Sequence, residues 1–398
     1  MPIVYITVFL DLLGFGLILP LLPYYAQSFG ATGLTLGAMT TAYSAAQFIG
    51  APIMGALSDR YGRRPILLLT LLGSAVSLTC AGLATNLIQL TLARLVAGLC
   101  GGSIAAAQAF IADVTTAETR AKHMGILGAC IGLGFVLGPA MGAALAPYGF
   151  STAAYAAAAL AGLNFIWGLF KLPETRSEAS GIGRSSFSLG VITDALKAPL
   201  IRPILGATFL TTVGFVAMET TYPLLGARFY GVDARDLGKI FTFIGVIMVI
   251  IQGGLLGRWV KRYGEFSTAV TGMIVNAVAL AALPFAPSLN ISIGLLGFLA
   301  LGQALSSPTL STILSRSASQ ETQGSTLGLG QSLSAFARAI GPLIAGFLFD
   351  FRIAVPYVVG GSLTLLGAWW LFSIRSAAPF VKMSPPPTND TQIRAVPR

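Results

Sequence analysis

Long apolar runs, separated by short polar breaks, follow one another along almost the whole chain. A helix needs about 20 apolar residues to cross a hydrocarbon layer roughly 30 Å thick, so each run of that length predicts one membrane span. Twelve spans are predicted, at roughly 3–25, 37–57, 66–84, 88–111, 122–146, 150–170, 201–226, 237–257, 267–286, 289–311, 324–348 and 353–373. The pattern therefore predicts an all-α membrane protein with twelve transmembrane helices.

The longest break lies between the sixth and seventh spans. It contains Pro173, Gly181, Gly183 and several serines, a composition typical of a loop. It divides the spans six and six. We predict an N-terminal six-helix bundle over residues 1–170, a cytoplasmic linker over 171–200, a C-terminal six-helix bundle over 201–375 and a disordered cytoplasmic tail over 376–398, which is polar and rich in proline.

The composition excludes a water-soluble globule. The 398 residues are 55% hydrophobic and 10% charged, whereas a soluble domain carries about 25% charged residues. The net charge of +10 does not indicate nucleic-acid binding, because the basic residues lie in short loops and are not gathered on one soluble face. Three cysteines inside apolar runs and a single histidine imply neither a disulfide framework nor a metal site.

Basic residues cluster in alternate loops. Arg60, Arg63 and Arg64 follow the second span, for example, whereas the loops on either side of such clusters carry few basic residues. Lys and Arg in short loops remain on the cytoplasmic side of a membrane. We therefore expect a multi-pass protein of the cell (inner) membrane with both termini in the cytoplasm.

The two halves of the chain repeat each other. The segment GALSDRYGRR at 55–64 has a counterpart, GRWVKRYGEF, at 257–266, and their shared Arg-Tyr-Gly cores are offset by 202 residues. The pair Gly138-Pro139 matches Gly341-Pro342 at an offset of 203. An even number of spans separates equivalent points, so the halves have the same orientation. Two such bundles can rock about a shared midplane site and give alternating access.

Four motifs stand out in the first half: DLLGFGLILPLLP at 11–23, GALSDRYGRRP at 55–65, LARLVAG at 92–98, and GFVLGPAMG at 134–142, which contains Gly134, Gly138, Pro139 and Gly142. They resemble motifs of the major facilitator superfamily, and within it of the twelve-span drug:proton antiporters that include the tetracycline exporters. The resemblance implies two pseudo-symmetric six-helix bundles. It also implies that the last motif is the helix-packing motif of antiporters, although ordinary membrane packing predicts such glycines too.

The loop after the second span is implied, by resemblance, to act as a conformational switch. In relatives of this kind a cytoplasmic charge network locks the outward-open state, and its members here are Asp59, Arg60, Arg63, Arg64, Asp113 and Arg94. Gly62, together with Gly55, belongs to the turn, and glycine suits so short a loop. The alternative is that the arginines only fix topology through the positive-inside bias.

Four ionisable residues lie inside predicted spans: Asp11, Arg94, Glu219 and Arg338. Such residues are costly in a bilayer and are functional candidates by default. Burial opposes ionisation of a carboxyl group, whereas a cationic guest or a nearby arginine favours it, so Glu219 and Asp11 are predicted to couple protons to substrate. Glu219 also aligns, by resemblance, with an acidic residue in the seventh span of multidrug antiporters.

Each of these assignments has a plainer alternative. Glu219 can be a packing residue bonded to a neighbouring hydroxyl group, and Asp11 can lie near the cytoplasmic side and serve the helix ends. Arg94 either organises Asp11 and the proton path or pairs with helix carbonyls.

Four amide side chains are weaker candidates for substrate contact: Gln47, Gln252, Asn276 and Gln303. Amides also hold transmembrane helices together, and that alternative stays open. Asn276 stands where the tetracycline exporters that the chain resembles have an acidic residue, and Met248 stands at the position of their span-eight histidine. We therefore do not predict tetracycline as the substrate.

Together the patterns predict a secondary active transporter that exports small lipophilic organic compounds or drugs in exchange for protons. We expect no enzymatic activity, because no catalytic constellation is recognisable, and no cofactor, because the sequence has no G-x-x-x-x-G-K-[ST] phosphate loop. The expected partners are a small-molecule substrate, protons and the lipid bilayer, with a monomeric protein and no nucleic acid. The alternatives are a proton-coupled symporter or facilitator of a small metabolite and, in another class, a non-transporting receptor or scaffold.

Overall fold

The computed structural model describes residues 2–101, 103–115, 117–174, 198–318 and 323–375, and no strand occurs in this part of the chain. Its helices are α1 Pro2–Ile18, α2 Leu22–Ser28, α3 Gly33–Tyr61, α4 Arg63–Leu83, α5 Leu87–Cys100, α6 Ser103–Val114, α7 Ala117–Leu145, α8 Phe150–Lys171, α9 Ile201–Tyr230, α10 Ala234–Ile250, α11 Leu256–Tyr263, α12 Glu265–Ala282, α13 Leu289–Ser317, α14 Gln323–Phe351 and α15 Val355–Ser373. The predicted tail and most of the predicted linker lie outside the described residues.

Within the described residues, 10 helical stretches are long and apolar enough to cross a membrane. They coincide with ten of the twelve predicted spans. The other two are also helical, because the predicted span 37–57 lies within α3 and the span 88–111 is covered by α5 and α6. α3 is less apolar since it carries Thr40, Tyr43, Ser44 and Gln47, which line an internal cavity. The predicted all-α membrane fold is thus confirmed.

Three predicted spans are not continuous α-helices. The first breaks between α1 and α2, around Pro20 and Pro23, which lack the backbone N–H that a continuous helix would use. The fourth breaks at Gly101, whose carbonyl accepts a hydrogen bond from the Gln47 amide at 3.3 Å. The eighth contains a π-helical turn, Ile251–Leu255, between α10 and α11. Uniform apolarity does not reveal such breaks, and α11 and α13 also end later than predicted.

The packing of helices repeats between the two halves. In the first half α1 packs against α7 and α8, and α4 packs against α5 and α8; in the second half α9 packs against α14 and α15, and α12 against α13 and α15. The two Arg-Tyr-Gly turns are equivalent as well, since Gly62 and Gly264 have φ of 107° and 80° and each joins two helices directly. Only glycine adopts this backbone conformation without strain. The structure therefore supports the duplication.

The two halves meet along two equivalent helix pairs, α3 with α14 and α7 with α10. In each pair a glycine lies against the carbonyl group of a proline. A Cβ atom on Gly37 would lie 2.2 Å from the carbonyl oxygen of Pro342, and a Cβ atom on Gly238 would lie 2.8 Å from that of Pro139. No side chain fits at such distances, so both close approaches depend on glycine.

Hydrogen bonds also join the halves, and among the described residues they lie in the part of the bundle remote from the chain termini. The carboxylate of Asp350, at the end of α14, accepts hydrogen bonds from the backbone N–H groups of Gly33 and Leu34, both at 2.8 Å. These first-turn N–H groups of α3 have no partner within their own helix. The hydroxyl group of Tyr24 donates to the carbonyl of Val232 at 2.8 Å. The bundle is closed at this remote end.

Replacing Asp350 by alanine is expected to shift the protein away from this closed conformation. The variant loses two hydrogen bonds and a negative charge at a helix N-terminus, an effect of about 1 kcal/mol, which changes the ratio of closed to open molecules roughly fivefold. Spin labels at the remote ends of α3 and α14 should report longer distances by EPR.

The matched control is Asp236→Ala. The carboxylate of Asp236 pairs with Lys239 of the same helix at 2.8 Å, so its loss should leave the distance between the halves unchanged. Equal distance distributions in the two variants would show that Asp350 does not hold the halves together.

Candidate functional site

A cavity of about 440 Å³ lies between the two halves, within the size range of ligand-binding sites. All four ionisable residues that were predicted inside spans line it: Asp11 and Arg94 from the first half, and Glu219 and Arg338 from the second. Much of the remaining wall is apolar or aromatic, and it includes Phe15, Leu22, Leu36, Phe135, Val216 and Phe241. The cavity thus combines a lipophilic surface with four charged groups.

Asp11 lies on α1 and is half-buried. Its carboxylate accepts a hydrogen bond from the hydroxyl group of Ser103 at 2.5 Å. Since Ser103 begins α6, this bond holds α1 beside the break in the fourth span. Asp11 therefore lines the cavity and also holds the start of α6, so the alternative in which it serves a helix end stays open.

Arg94 lies on α5, and its side chain is covered by two aromatic rings. Its guanidinium carbon lies 4.2 Å from the ring centre of Tyr43 and 5.5 Å from that of Phe15, and the residue is only 5% exposed. Cation–π contacts of this kind stabilise a desolvated arginine. Arg94 was grouped with the cytoplasmic charge network, but it lies in the cavity wall, and it makes no ion pair with a residue in the described part of the chain.

Glu219 and Arg338 lie on α9 and α14, two helices that pack against each other. Both side chains are exposed, and both line the cavity. Among the described residues, however, neither one forms an ion pair, and Glu219 has no hydrogen-bonding partner. The alternative in which Glu219 bonds to a neighbouring hydroxyl group therefore finds no support.

The predicted charge network is present in part, near the ends of α3, α4 and α6. The Nε atom of Arg63 lies 2.7 Å from a carboxylate oxygen of Asp113. Arg60 lies over the ring of Tyr61 at 5.2 Å, and the guanidinium group of Arg64 donates to the carbonyl of Leu169 at 2.7 Å. The side chain of Asp59 lies outside the described part of the structure. Arg63 and Asp113 belong to the same half, so the proposed lock between conformations stays a prediction.

Glu174 is an additional member of this region. Its carboxylate accepts hydrogen bonds from the backbone N–H groups of Arg63 and Arg64, at 2.9 and 3.2 Å. These groups begin α4, directly after Gly62. A carboxylate is favourable at a helix N-terminus, so Glu174 fixes the turn against the end of the sixth span. Gly55, by contrast, lies inside α3 and not in the turn.

The glycine motif of α7 packs against α1. Cβ atoms on Gly134, Gly138 and Gly142 would each come within 3 Å of atoms of α1, so the three glycines allow the two backbones to touch. Pro139 lies between them and turns its carbonyl group toward α10, in the other half. The motif therefore has two roles. It packs α7 against α1 within the first half, and it contacts α10 of the second half.

The four amide candidates divide between the cavity and the helix interfaces. Gln47 lines the cavity. Asn276 is fully buried, and its amide group contacts the carbonyl of Leu299 at 3.4 Å and the side chain of Gln303 at 3.3 Å, which joins α12 to α13. Gln252 lies in the π-helical turn. Asn276, Gln303 and Gln252 do not line this cavity, so their contact with a substrate stays a prediction.

Sequence reasoning missed several residues that build the site. Phe15 follows Asp11 by one helical turn, and Tyr43 precedes Gln47 by one turn, so helical spacing from the polar candidates could have identified both. Ser103 follows the break in the fourth span, and only the folded chain brings it to Asp11. Asp350 has no local signal at all, because its partners lie at the other end of the sequence.

Comparison with known proteins agrees with this architecture. The profile of the Major Facilitator Superfamily matches residues 4–342 and 253–395. The chain is 30% identical over 379 residues to the tetracycline resistance protein, class C, of Escherichia coli, which covers 91% of this chain and 96% of that protein. It is 29% identical over 367 residues to the quinolone resistance protein NorA of Staphylococcus aureus, with 92% and 94% covered.

A solved structure resembles it as well. The crystal structure of the human organic anion transporter MFSD10 (TETRAN) has a TM-score of 0.70 and 26% sequence identity, and the match covers 93% of this chain and 98% of that chain.

Proposed function

The chain belongs to the Major Facilitator Superfamily and is a transporter, not an enzyme; from this premise we propose that it exports small lipophilic organic compounds in exchange for protons. The relatives include proteins named for resistance to tetracycline and to quinolones, which fits a drug:proton antiporter. We place it in the cell membrane with both termini in the cytoplasm, in accordance with the clusters of basic residues in alternate loops. The two halves of one chain together line the cavity, which fits a protein that acts as a monomer.

One observation carries this proposal. Glu219 faces a cavity shared by both halves and has no ion-pair or hydrogen-bond partner in the described part of the chain. A carboxyl group that is free in such a place can be neutralised either by a proton or by the cationic group of a substrate, but not by both. Competition for one carboxylate is the simplest way to exchange the two ligands.

The fold supplies the movement that exchange requires. The halves are closed at the end remote from the termini by Gly37, Gly238 and Asp350, and the packing of each half is the same. Rocking of two equivalent bundles can open this end and close the other. A proton that binds Glu219 from outside is then released to the cytoplasm, and substrate takes its place.

The proton gradient makes the exchange productive. A difference of one pH unit supports about tenfold accumulation of substrate for each proton exchanged. Exchange of one proton for a monovalent cation moves no net charge, whereas for a substrate without net charge a potential of 100 mV adds about 2.3 kcal/mol. Export of a lipophilic compound therefore needs no nucleotide.

The test uses the full chain in proteoliposomes with the electrical potential clamped to zero. With an acidic interior, an antiporter should accumulate tetramethylrhodamine methyl ester, a lipophilic cation, because outflow of protons drives inflow of dye. A gradient of one pH unit supports about tenfold accumulation for each proton exchanged, and a protonophore should abolish it. This result does not depend on the orientation of the protein.

The same experiment distinguishes the alternatives. A proton-coupled symporter accumulates the dye only when the exterior is acidic, and a facilitator equilibrates it without accumulation. A receptor or scaffold shows no flux above that of protein-free vesicles. Any of these three outcomes would contradict the antiport mechanism.

A further inference from the structure

We propose that Arg338 binds the carboxylate of the substrate while Glu219 binds its cationic group, so that the compounds exported include lipophilic zwitterions. This inference rests on the proposed export function and names a substrate class for the same cavity. It assigns to Arg338 a role in specificity, as the group that distinguishes a zwitterion from a simple cation.

The two arginines of the cavity differ in what they offer to a ligand. The guanidinium group of Arg94 is covered by the rings of Tyr43 and Phe15, so little of it is available. Arg338 is exposed and lines the cavity. A guanidinium group presents two parallel N–H donors that match the two oxygens of a carboxylate. Arg338 is therefore the accessible anion-binding group of the wall.

Glu219 and Arg338 line one cavity from two helices that pack against each other. Within the described residues no ion pair joins them. Charged groups without partners are costly in a membrane protein and mark ligand paths. A ligand with a cationic and an anionic group satisfies both at once, whereas a simple cation at Glu219 leaves Arg338 beside it as a repulsive neighbour.

The repeat shows that the helical scaffold does not require these two charges. At the offset of 203 that relates the halves, Glu219 corresponds to Gly16 and Arg338 corresponds to Phe135. Gly16 packs against the α7 motif and Phe135 contributes an aromatic ring to the cavity. The first half thus builds the same helix pair without a charge at either of these two positions, although α1 carries Asp11 elsewhere. The pair in the second half is an addition to the fold, which is expected of a ligand site.

The remaining wall accommodates the body of such a substrate. Phe15, Leu36, Phe135 and Phe241 line the cavity together with Tyr43, and aromatic walls favour flat ring systems. The preferred ligand is then a polycyclic compound with an amine and a carboxylic acid. Rings stack on the aromatic side chains while the two charges meet Glu219 and Arg338.

The test compares two dyes that differ only in one ester. Tetramethylrhodamine is a zwitterion, and its methyl ester is a cation of the same shape. Binding of each dye to the purified protein is measured by fluorescence anisotropy, and transport of each is measured in proteoliposomes with an acidic interior. For Arg338→Gln we expect binding of the zwitterion to weaken about 10- to 100-fold, the effect of losing a charge-assisted hydrogen bond. Binding of the ester should stay equal or become tighter.

Two further variants make the result specific. Arg338→Lys keeps the charge without the paired donors, so zwitterion binding should lie between that of the wild type and that of Arg338→Gln. Arg375→Gln removes an arginine that stacks on Phe372 at 5.8 Å, outside the cavity, and should change neither dye. Both affinities are measured on the same sample of each variant. A variant that folds poorly lowers the binding of both dyes alike, so it does not change their ratio.

The outcomes separate this inference from the proposed function. Two outcomes would overturn the role of Arg338 even if proton-driven export is observed. One is an equal loss of binding of both dyes in Arg338→Gln, and the other is a wild-type protein that binds the ester and not the zwitterion. Selective loss of zwitterion binding supports it even if neither dye moves against a pH gradient, in which case only antiport is contradicted.

Discussion

Glu219→Gln should reduce the accumulation of a lipophilic cation in acid-loaded proteoliposomes to the level of protein-free vesicles. The amide has nearly the shape of the acid but can neither bind a proton nor carry a negative charge, so the group for which proton and substrate compete is lost. A one-unit pH gradient then has no effect, and about tenfold accumulation per proton disappears. Dye fluorescence and the pH of a trapped indicator measure the two fluxes together.

Two controls make this result interpretable. Glu265 pairs with Arg316 at 3.1 Å on the same half, outside the cavity wall, so Glu265→Gln should retain full accumulation. The EPR distance between the remote ends of α3 and α14 should stay at the wild-type value in Glu219→Gln, because the contacts that close this end do not involve Glu219. Uphill accumulation in Glu219→Gln at the wild-type level would remove this residue from the coupling mechanism.

Gly37→Ala is expected to abolish closure of the remote end, and with it transport. The added Cβ atom would lie 2.2 Å from the carbonyl oxygen of Pro342, whereas van der Waals contact between such atoms needs about 3.5 Å. Both atoms belong to backbones of long helices, so the halves must separate. The closed conformation becomes inaccessible, and a cycle that passes through it stops.

The duplicated contact provides a graded series for this prediction. In Gly238→Ala the new atom would lie 2.7 Å from the Cβ atom of Ala143 and 2.8 Å from the carbonyl oxygen of Pro139, so we expect a smaller loss. Gly162→Ala meets nothing within 4 Å and should transport like the wild type. The transport rate should be lowest in Gly37→Ala, intermediate in Gly238→Ala and unchanged in Gly162→Ala. The EPR distance between α3 and α14 should be longest in Gly37→Ala. Rapid transport by Gly37→Ala would show that the remote end need not close so tightly.

Much of this architecture was predictable because it depends on patterns that are local in sequence. Apolar runs of sufficient length predicted twelve spans, and ten of them coincide with long apolar helices of the described residues. The offset of 202 or 203 residues identified the repeat. The cost of charge in a membrane also identified Asp11, Arg94, Glu219 and Arg338 as a group, and the structure places all four around one cavity. In each case one physical rule acts within a few turns of helix.

The remainder depends on which helix faces which, and no local pattern contains that information. Asn276 and Gln303 looked like possible substrate contacts, but their helices turn them toward each other. Arg94 was assigned to a loop network from its motif, yet Tyr43 and Phe15, on two other helices, cover it. The cap that Asp350 places on α3 joins residues more than three hundred positions apart.

The closed remote end has a consequence for inhibition. In the orientation that we propose, with both termini in the cytoplasm, the seam formed by Gly37, Pro342 and Asp350 faces the growth medium, and its close contacts leave no entrance there for a dissolved molecule. A blocker designed to fit this shape must first permeate the cell and reach its target from within. An antibody fragment added to the medium can hold the protein in this state only by binding to both halves across the closed seam.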